Sequence, residues 1–355
     1  MKRGVKVLLA GLLVFLLLLI LGGLFSWDKF FGAPNPQDSQ TQTLVVSRET
    51  DKEAVFAQLA SQGLIKNKAA FSWLFFKKYG FAKIEPGGYY LRPDMDALAV
   101  AEKLVSPPDM VWVTIPEGWR KEEIGERLAK VLGWGDEELE KWNEVYTRMR
   151  FDYQEGVYFP DTYLIDRQED GLTVANRLIS RFEEKAAPIL AEFAQQNILW
   201  TTGLKVASLV QREAAGDEDM ALIAGIIWNR LNIGMKLDID ATVQYARGKT
   251  DNGWWAPIKI EDKQIDSPYN TYLYAGLPPT PICNPGLKAL AAAANPKKPI
   301  AFFISTTLPA KSTAVKLTKN IWKKLTNICG RELPASRVHS FSILCQFVCF
   351  SNLTL

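Results

Sequence analysis

Histidine is nearly missing from this 355-residue chain, and its one copy, His339, lies in a C-terminal stretch unlike the rest. Ser–His–Asp and Cys–His nucleophiles, His-ligated zinc and two-histidine iron sites all need an imidazole beside other groups. None has a natural place here. Cysteine is scarce too. Of four cysteines, Cys329, Cys345 and Cys349 fall in that same stretch, Cys283 stands apart, and no C-x-x-C occurs. That pattern excludes a disulfide framework and a zinc ribbon. There is no G-x-G-x-x-G, and Gly248-Lys249-Thr250 has Val243 where a phosphate-binding loop needs its first glycine. An excess of one charge is also lacking: 42 basic and 39 acidic residues leave a net of +3, which does not advertise nucleic acid as a partner. No metal and no organic cofactor is implied.

What is present is a globular composition, 48% hydrophobic and 23% charged, and one long apolar run. Val7 to Phe25 holds 19 residues without a charge, about 28 Å of helix at roughly 1.5 Å per residue, enough to span a bilayer. Lys2, Arg3 and Lys6 precede it, and Trp27 and Asp28 follow. The positive-inside rule then places residues 1–6 in the cytoplasm, a single-pass anchor at 7–27 in the plasma membrane, and everything later outside. A cleaved signal peptide is the alternative, but the apolar core exceeds the usual ~7–15 residues and no A-x-A-like site follows. Residues 28–43, rich in Pro, Gln and Ser, read as a tether.

Residues 44–135 alternate strands and helices. Thr43 to Ser47 reads as a strand and Asp51 to Gln62 as a helix with Val55, Phe56 and Leu59 on one face. Asn67 to Tyr79 reads as a second helix. A short strand Tyr89 to Leu91 leads to a helix begun near Asp94. A strand Val111 to Ile115, a Pro116-Glu117-Gly118 turn and a helix carrying Ile124, Leu128 and Val131 repeat that order. In residues 136–306, Gly203 to Ala215 and Asp217 to Leu231 read as helices, with Asp217 as N-cap and Met220, Ile223, Ile227 and Leu231 as a buried stripe. Beyond Gly234 the density of Pro, Gly and Asn predicts strands and loops. The class is α+β.

With imidazoles and metals excluded, carboxylates are the remaining acid–base groups. In GLKVASLVQREAAG, Val206, Leu209 and Glu213 share one helix face, so Glu213 prolongs an apolar stripe. Such surroundings disfavour the charged form and suit a general acid. A solvated helix-end glutamate, or one paired with Arg212 or Arg230, fits the same pattern.

Three blocks now bear on identity: QEGVYFPDTYLI (154–165), ASLVQREAAGDEDMALIAGIIWNRLNIGMKLDIDATVQYA (207–246) and SPYNTYLYAGLPPTPICNPG (267–286). In this order they strongly resemble the endolytic murein transglycosylases, the YceG-like or MltG-type family, over roughly residues 45–305. The repeated strand–turn–helix of 44–135 looks like the LysM-type carbohydrate-binding module of wall enzymes. The resemblance implies a YceG-like catalytic domain at 136–306. It also implies a lytic transglycosylase, a carbon–oxygen lyase acting on polysaccharide, that cleaves MurNAc-β-1,4-GlcNAc bonds in nascent glycan strands, leaves 1,6-anhydro ends and limits strand length. Its partners would be glycan strands and the wall-synthesis machinery, although no residue identifies a protein contact.

The family's catalytic glutamate is the second acid of a V-E-K-E-type motif and falls on Glu213, while the first acid is replaced by Gln211. The PYNTY segment, Tyr269, Asn270, Thr271 and Tyr272, offers amide and hydroxyl groups for acetamido sugars. Tyr245, Trp254 and Trp255 would extend a sugar groove or pack a core. Asn229 and Arg230 are expected to orient Glu213 or its neighbouring helix. Asp238, Asp240 and Glu261 keep hydrolysis open, with Asp240 as a supporting residue. Glu155, Pro160 and Asp161 suit a structural corner.

Residues 307–355 depart from the family, which continues into a Gly/His/Phe stretch and a T-x-x-E-H helix. From Thr307 on there are seven Lys or Arg and one acid, Glu332, a net of +6. A reading-frame error near Thr306 would produce such a shift. A tail of this kind keeps alive a second function: a catalytically impaired wall-binding or scaffold protein of the same fold.

Overall fold

The computed structural model describes residues 11–16, 18, 27–150, 152 and 154–297. Most of the expected anchor and all of 307–355 lie outside the described residues. No helix among the described residues is long and apolar enough to cross a membrane. The chain divides into two compact units, the first formed by 1–114, 130–133 and 162–169 and the second by 115–129, 134–161 and 170–355. The contiguous boundary read at residue 135 is corrected by this interleaving, because the first unit takes a strand from beyond it.

The first unit is built on a four-stranded antiparallel sheet, β1 (Gln42–Val46), β2 (Gly87–Leu91), β3 (Met110–Thr114) and β4 (Thr162–Asp166), paired in that order. Gln42 faces Leu91 and Val46 faces Gly87, while Met110 faces Asp166 and Thr114 faces Thr162. Close strand approach requires Gly87, where a Cβ would stand 2.5 Å from the Met110 carbonyl oxygen.

Helices α1 (Lys52–Ser61), α2 (Lys68–Tyr79) and α3 (Ala97–Val105) begin at side-chain caps. Asp51, Asn67 and Asp96 accept from the N–H groups of Ala54, Ala70 and Ala99 at 2.6, 2.9 and 2.7 Å, satisfying otherwise orphaned donors. Gly80, at φ 58°, ends α2 in a backbone region that disfavours a side chain. The apolar faces meet the sheet through Phe56, Leu59, Phe71, Phe75, Tyr89, Leu91, Val100 and Leu104, all fully buried. Burial of each large side chain is worth about 2 kcal/mol.

The second unit is mainly helical. It contains α4 (Lys121–Leu132) through Ala129, then α5 (Asp136–Glu144), α6 (Gly171–Gln195), α7 (Trp200–Glu213), α8 (Asp217–Asn232), α9 (Asp240–Arg247) and α10 (Leu287–Ala294). The alanine-rich α10 packs against α6, α7 and α8, its small side chains letting helix backbones come close. Gly203 on α7 lies flush against the Phe193 ring of α6.

Two expectations are corrected here. The N-cap of α8 is Gly216, and Asp217 is the first helical residue. Beyond Gly234 the described residues form α9, α10, a 3-10 turn and loops, with one isolated bridge between Thr250 and Gly253 in place of strands. The prolines there remove the N–H donors a ladder requires.

Candidate active site

Helix α7 delivers Glu213 at its last residue, after an apolar run in which Val206, Ala207, Leu209 and Val210 are fully buried. The carboxyl is half-buried and faces the start of α9. Burial is the main influence on its titration and, with the charge of Asp240, pushes its pKa up to about 7; the Ala241 N–H and the charges of Arg212 and Arg230 oppose the rise. The arrangement is self-consistent. A low-dielectric site favours the protonated acid, while a helix N-terminus and two guanidinium groups accommodate the carboxylate once it forms.

Asp240 opens α9 and accepts from the Tyr272 hydroxyl at 2.6 Å. Lys263 stands 3.7 Å from the same carboxylate and 4.1 Å from the centre of the Tyr272 ring. Of the three acids that kept hydrolysis open, only Asp240 is coupled to Glu213. Asp238 holds the left-handed backbone (φ 52°) and pairs with Arg230 at 3.8 Å. Glu261 is exposed in the 3-10 turn Glu261–Gln264.

Arg230 is buried on α8 and donates to the carbonyl of Leu237, tying that helix to the loop that leads into α9. Asn229 precedes it, half-buried, and its carbonyl accepts from the N–H of Ile233 at 3.2 Å. Gln211 accepts from the N–H of Gly286 at 3.0 Å and so links the end of α7 to the start of α10. That bond requires an acceptor oxygen, which an amide supplies as readily as an acid.

The PYNTY segment divides. Tyr269 and Tyr272 are partly accessible. Asn270 and Thr271 are corrected from substrate contacts to scaffold: they are 0% and 2% exposed. The Asn270 amide donates to the carbonyls of Lys263 and Ile265 at 3.0 and 2.8 Å and accepts from the Tyr272 N–H at 3.0 Å. Thr271 accepts from the Ile239 N–H at 3.0 Å and lies 2.9 Å from the Thr242 hydroxyl. The two residues fix the loop against α9, and so help to hold the Ala241 N–H that Glu213 meets.

Tyr245 and Tyr269 pack with ring centres 4.8 Å apart. The sequence reading missed what lies over Tyr245. The Arg120 guanidinium sits 3.9 Å from its ring centre and 4.6 Å from that of Trp254, and it donates to the Tyr245 carbonyl at 3.1 Å. Arg212, next to Glu213, likewise lies 3.8 Å over the ring of Trp255, whose indole donates to Glu123 at 2.8 Å. These residues are far apart in sequence, and no local signal links them. Burial also raises Asp238 and, more strongly, Glu155, which is pushed up to about 8 with Glu122 adding to the rise. Glu155 accepts from Asn284 at 2.7 Å and from the Lys121 N–H at 3.2 Å, so it closes the start of α4 as a corner residue.

Comparison with known proteins fits this architecture. The YceG-like family model matches residues 44–325. An endolytic murein transglycosylase of Bacillus subtilis is 29% identical over 303 residues, covering 79% of this chain and 83% of its own. One from Streptococcus pneumoniae serotype 2 is 28% identical over 334 residues and covers 83% of this chain, which spans 60% of that relative's length. The crystal structure of a YceG-like protein of Listeria monocytogenes shares the fold at a TM-score of 0.50 and 23% identity, covering 79% of this chain and 99% of its own. With most of its length matched by the family model, the chain belongs to the YceG-like family.

Proposed function

We propose that the protein is a membrane-anchored endolytic transglycosylase of peptidoglycan, with Glu213 as the group that gives and takes the proton. The reading is carried by one observation: a carboxyl withdrawn from solvent at the end of α7 and set against the N-terminus of α9, where burial pushes its pKa up to about 7. Near neutral pH such a group exchanges its proton at little cost, as a general acid–base catalyst needs. The names of the relatives, endolytic murein transglycosylases, support the substrate class.

In the reaction, protonated Glu213 donates to the oxygen bridging MurNAc and GlcNAc. The C1–O bond breaks through an oxocarbenium-like state. The C6 hydroxyl of the same MurNAc then closes on C1 and returns its proton to Glu213, leaving a 1,6-anhydro end. One proton leaves and one arrives, and water is not consumed. A second carboxylate is not required, in contrast to an ordinary glycosidase. Burial keeps the acid protonated and neutral at the start; the Ala241 N–H, Arg212 and Arg230 steady the anion midway. Tyr269, Tyr272 and Tyr245 are the proposed sugar-facing groups.

In this reading residues 7–25 span the plasma membrane, the N-terminus is cytoplasmic, and the body works outside on nascent strands alongside the wall-synthesis machinery. The test is digestion of purified glycan strands by the full chain, read by mass spectrometry. Internal anhydro-muropeptides are expected, and Glu213→Gln should abolish them while binding persists. Heavy oxygen from labelled water at the new reducing ends would make the enzyme a hydrolase. Binding without any product would make it a wall-binding protein.

A further inference from the structure

The first unit carries an aromatic face that its core does not use. Trp73 is 58% exposed and Phe81 is 92% exposed, and Phe76 and Trp27 are exposed beside them. The rings form two sets, each with a member on α2. Trp27, at the start of a helical turn over 27–31, lies 4.5 Å from Phe31, which lies 6.1 Å from Trp73 on α2; Phe76 lies 6.1 Å from Phe81. Lys52 reaches over Phe76 and Phe81 at 5.7 and 5.8 Å. A shallow depression on α2 is lined by Lys68, Ala69, Trp73, Phe76 and Lys77.

The charge that the stretch around α2 contributes is positive, although Glu53 of α1 also lines the depression. Residues 63–84 contain Lys66, Lys68, Lys77, Lys78 and Lys83 and no acidic residue. Lys68 pairs with Glu53 and Lys66 with Asp28, both from outside the stretch. Lys77, Lys78 and Lys83 have no acidic partner among the described residues. Position adds a third argument. The uncharged run of 7–25 ends two residues before Trp27, and the turn that follows is tied to α2 through Phe31 and Trp73 and through Lys66, which donates to the Asp28 carbonyl at 2.8 Å.

Aromatic rings settle at the depth of lipid headgroups, and lysines around them are drawn to anionic headgroups while their stems cover apolar surface. A glycan would instead need an array of neutral donors and acceptors. On this face the lining hydroxyl, Ser72, is already bonded to Glu53 at 3.2 Å.

We propose that the aromatic and basic face of α2 and of the 27–31 turn rests in the headgroup layer of an anionic membrane, beside the point where the chain leaves the bilayer. The inference rests on the reading of 7–25 as a span, and it adds a second, peripheral attachment that holds the first unit flat on the lipid.

The full chain is reconstituted into vesicles of phosphatidylcholine alone or mixed with phosphatidylglycerol, with a p-benzoylphenylalanine photoprobe replacing Phe81, Phe76 or, as control, the exposed Glu102 of α3. Lipid adducts are expected at 81 and 76 and not at 102, several-fold stronger with phosphatidylglycerol and reduced by Lys77→Glu with Lys78→Glu. A chain that stays with the vesicles through an alkaline wash but yields no lipid adduct at 76 and 81, or equal adducts at 102, overturns the proposal and leaves the anchor standing. Crosslinks at 76 and 81 to glycan or protein in place of lipid overturn it as well. A chain released by the wash overturns the anchor reading, and this proposal with it.

Discussion

The charge of Asp240 bears on Glu213 across the junction of α7 and α9 and helps keep that carboxyl protonated. Removing it should let the proton leave more easily. Asp240→Asn is therefore expected to move the alkaline fall of the pH–rate profile to lower pH, with rates at acidic pH little changed. A profile measured with glycan strands and matching that of the unaltered enzyme would disconnect the two carboxyls.

If Glu213 must begin protonated, kcat/KM should fall about tenfold for each pH unit above its pKa near 7. Glu213→Gln should lower turnover by ~10² to 10⁴ or more, the range general acid–base catalysis contributes. A plateau extending well above pH 8 would assign the proton to another group.

The same carboxyl is a liability to folding. Its pKa in the folded chain, about 7, lies above the ordinary 4.5, so between those values the folded state binds more protons and stability declines as pH rises. Glu213→Gln is expected to match the unaltered protein below pH 4.5 and to exceed it by about 3 kcal/mol above about pH 8, once the folded-state carboxyl has ionised. Urea unfolding across that window measures the difference.

Gln211 is held by the N–H of Gly286. Gln211→Glu keeps an acceptor and should retain folding and activity, whereas Gln211→Ala should cost about 1 kcal/mol and lower kcat. Equal behaviour of the two variants would remove this bond from any positioning role.

A methyl group at Gly203 would press into the Phe193 ring, which is itself fully buried. Gly203→Ala should destabilise the second unit by about 1–3 kcal/mol through overpacking, despite alanine's better helix propensity. An unchanged melting temperature would show that the ring can yield.

How much of this could be read from the chain depended on distance along it. Asp51 and Asn67 cap helices whose starts were read at those residues, because each acts on a group only three residues away; the third helix was read from near Asp94, and its cap is Asp96. Asp217 failed the same rule because Gly216 already adopts the extended cap conformation. The stripe leading to Glu213 was legible because helical periodicity carries it, but its coupling to Asp240 was not. Asn270 looked like a recognition residue from its neighbours, yet only the fold reveals that its amide turns inward to two carbonyls. The Arg120–Tyr245 stack joins residues 125 positions apart, where no pattern reaches. Strand β4 went unread for the same reason: its ladder partner, β3, lies some fifty residues earlier.

That last strand governs how the protein can be cut and in what order it can be made. Because Thr162–Asp166 completes the sheet begun at Gln42, a fragment stopped at residue 135 would expose the backbone edge of Met110–Thr114 and invite aggregation. During synthesis the first unit cannot finish until more than fifty additional residues have emerged from the ribosome. Its maturation is thus coupled in time to that of the helices that follow.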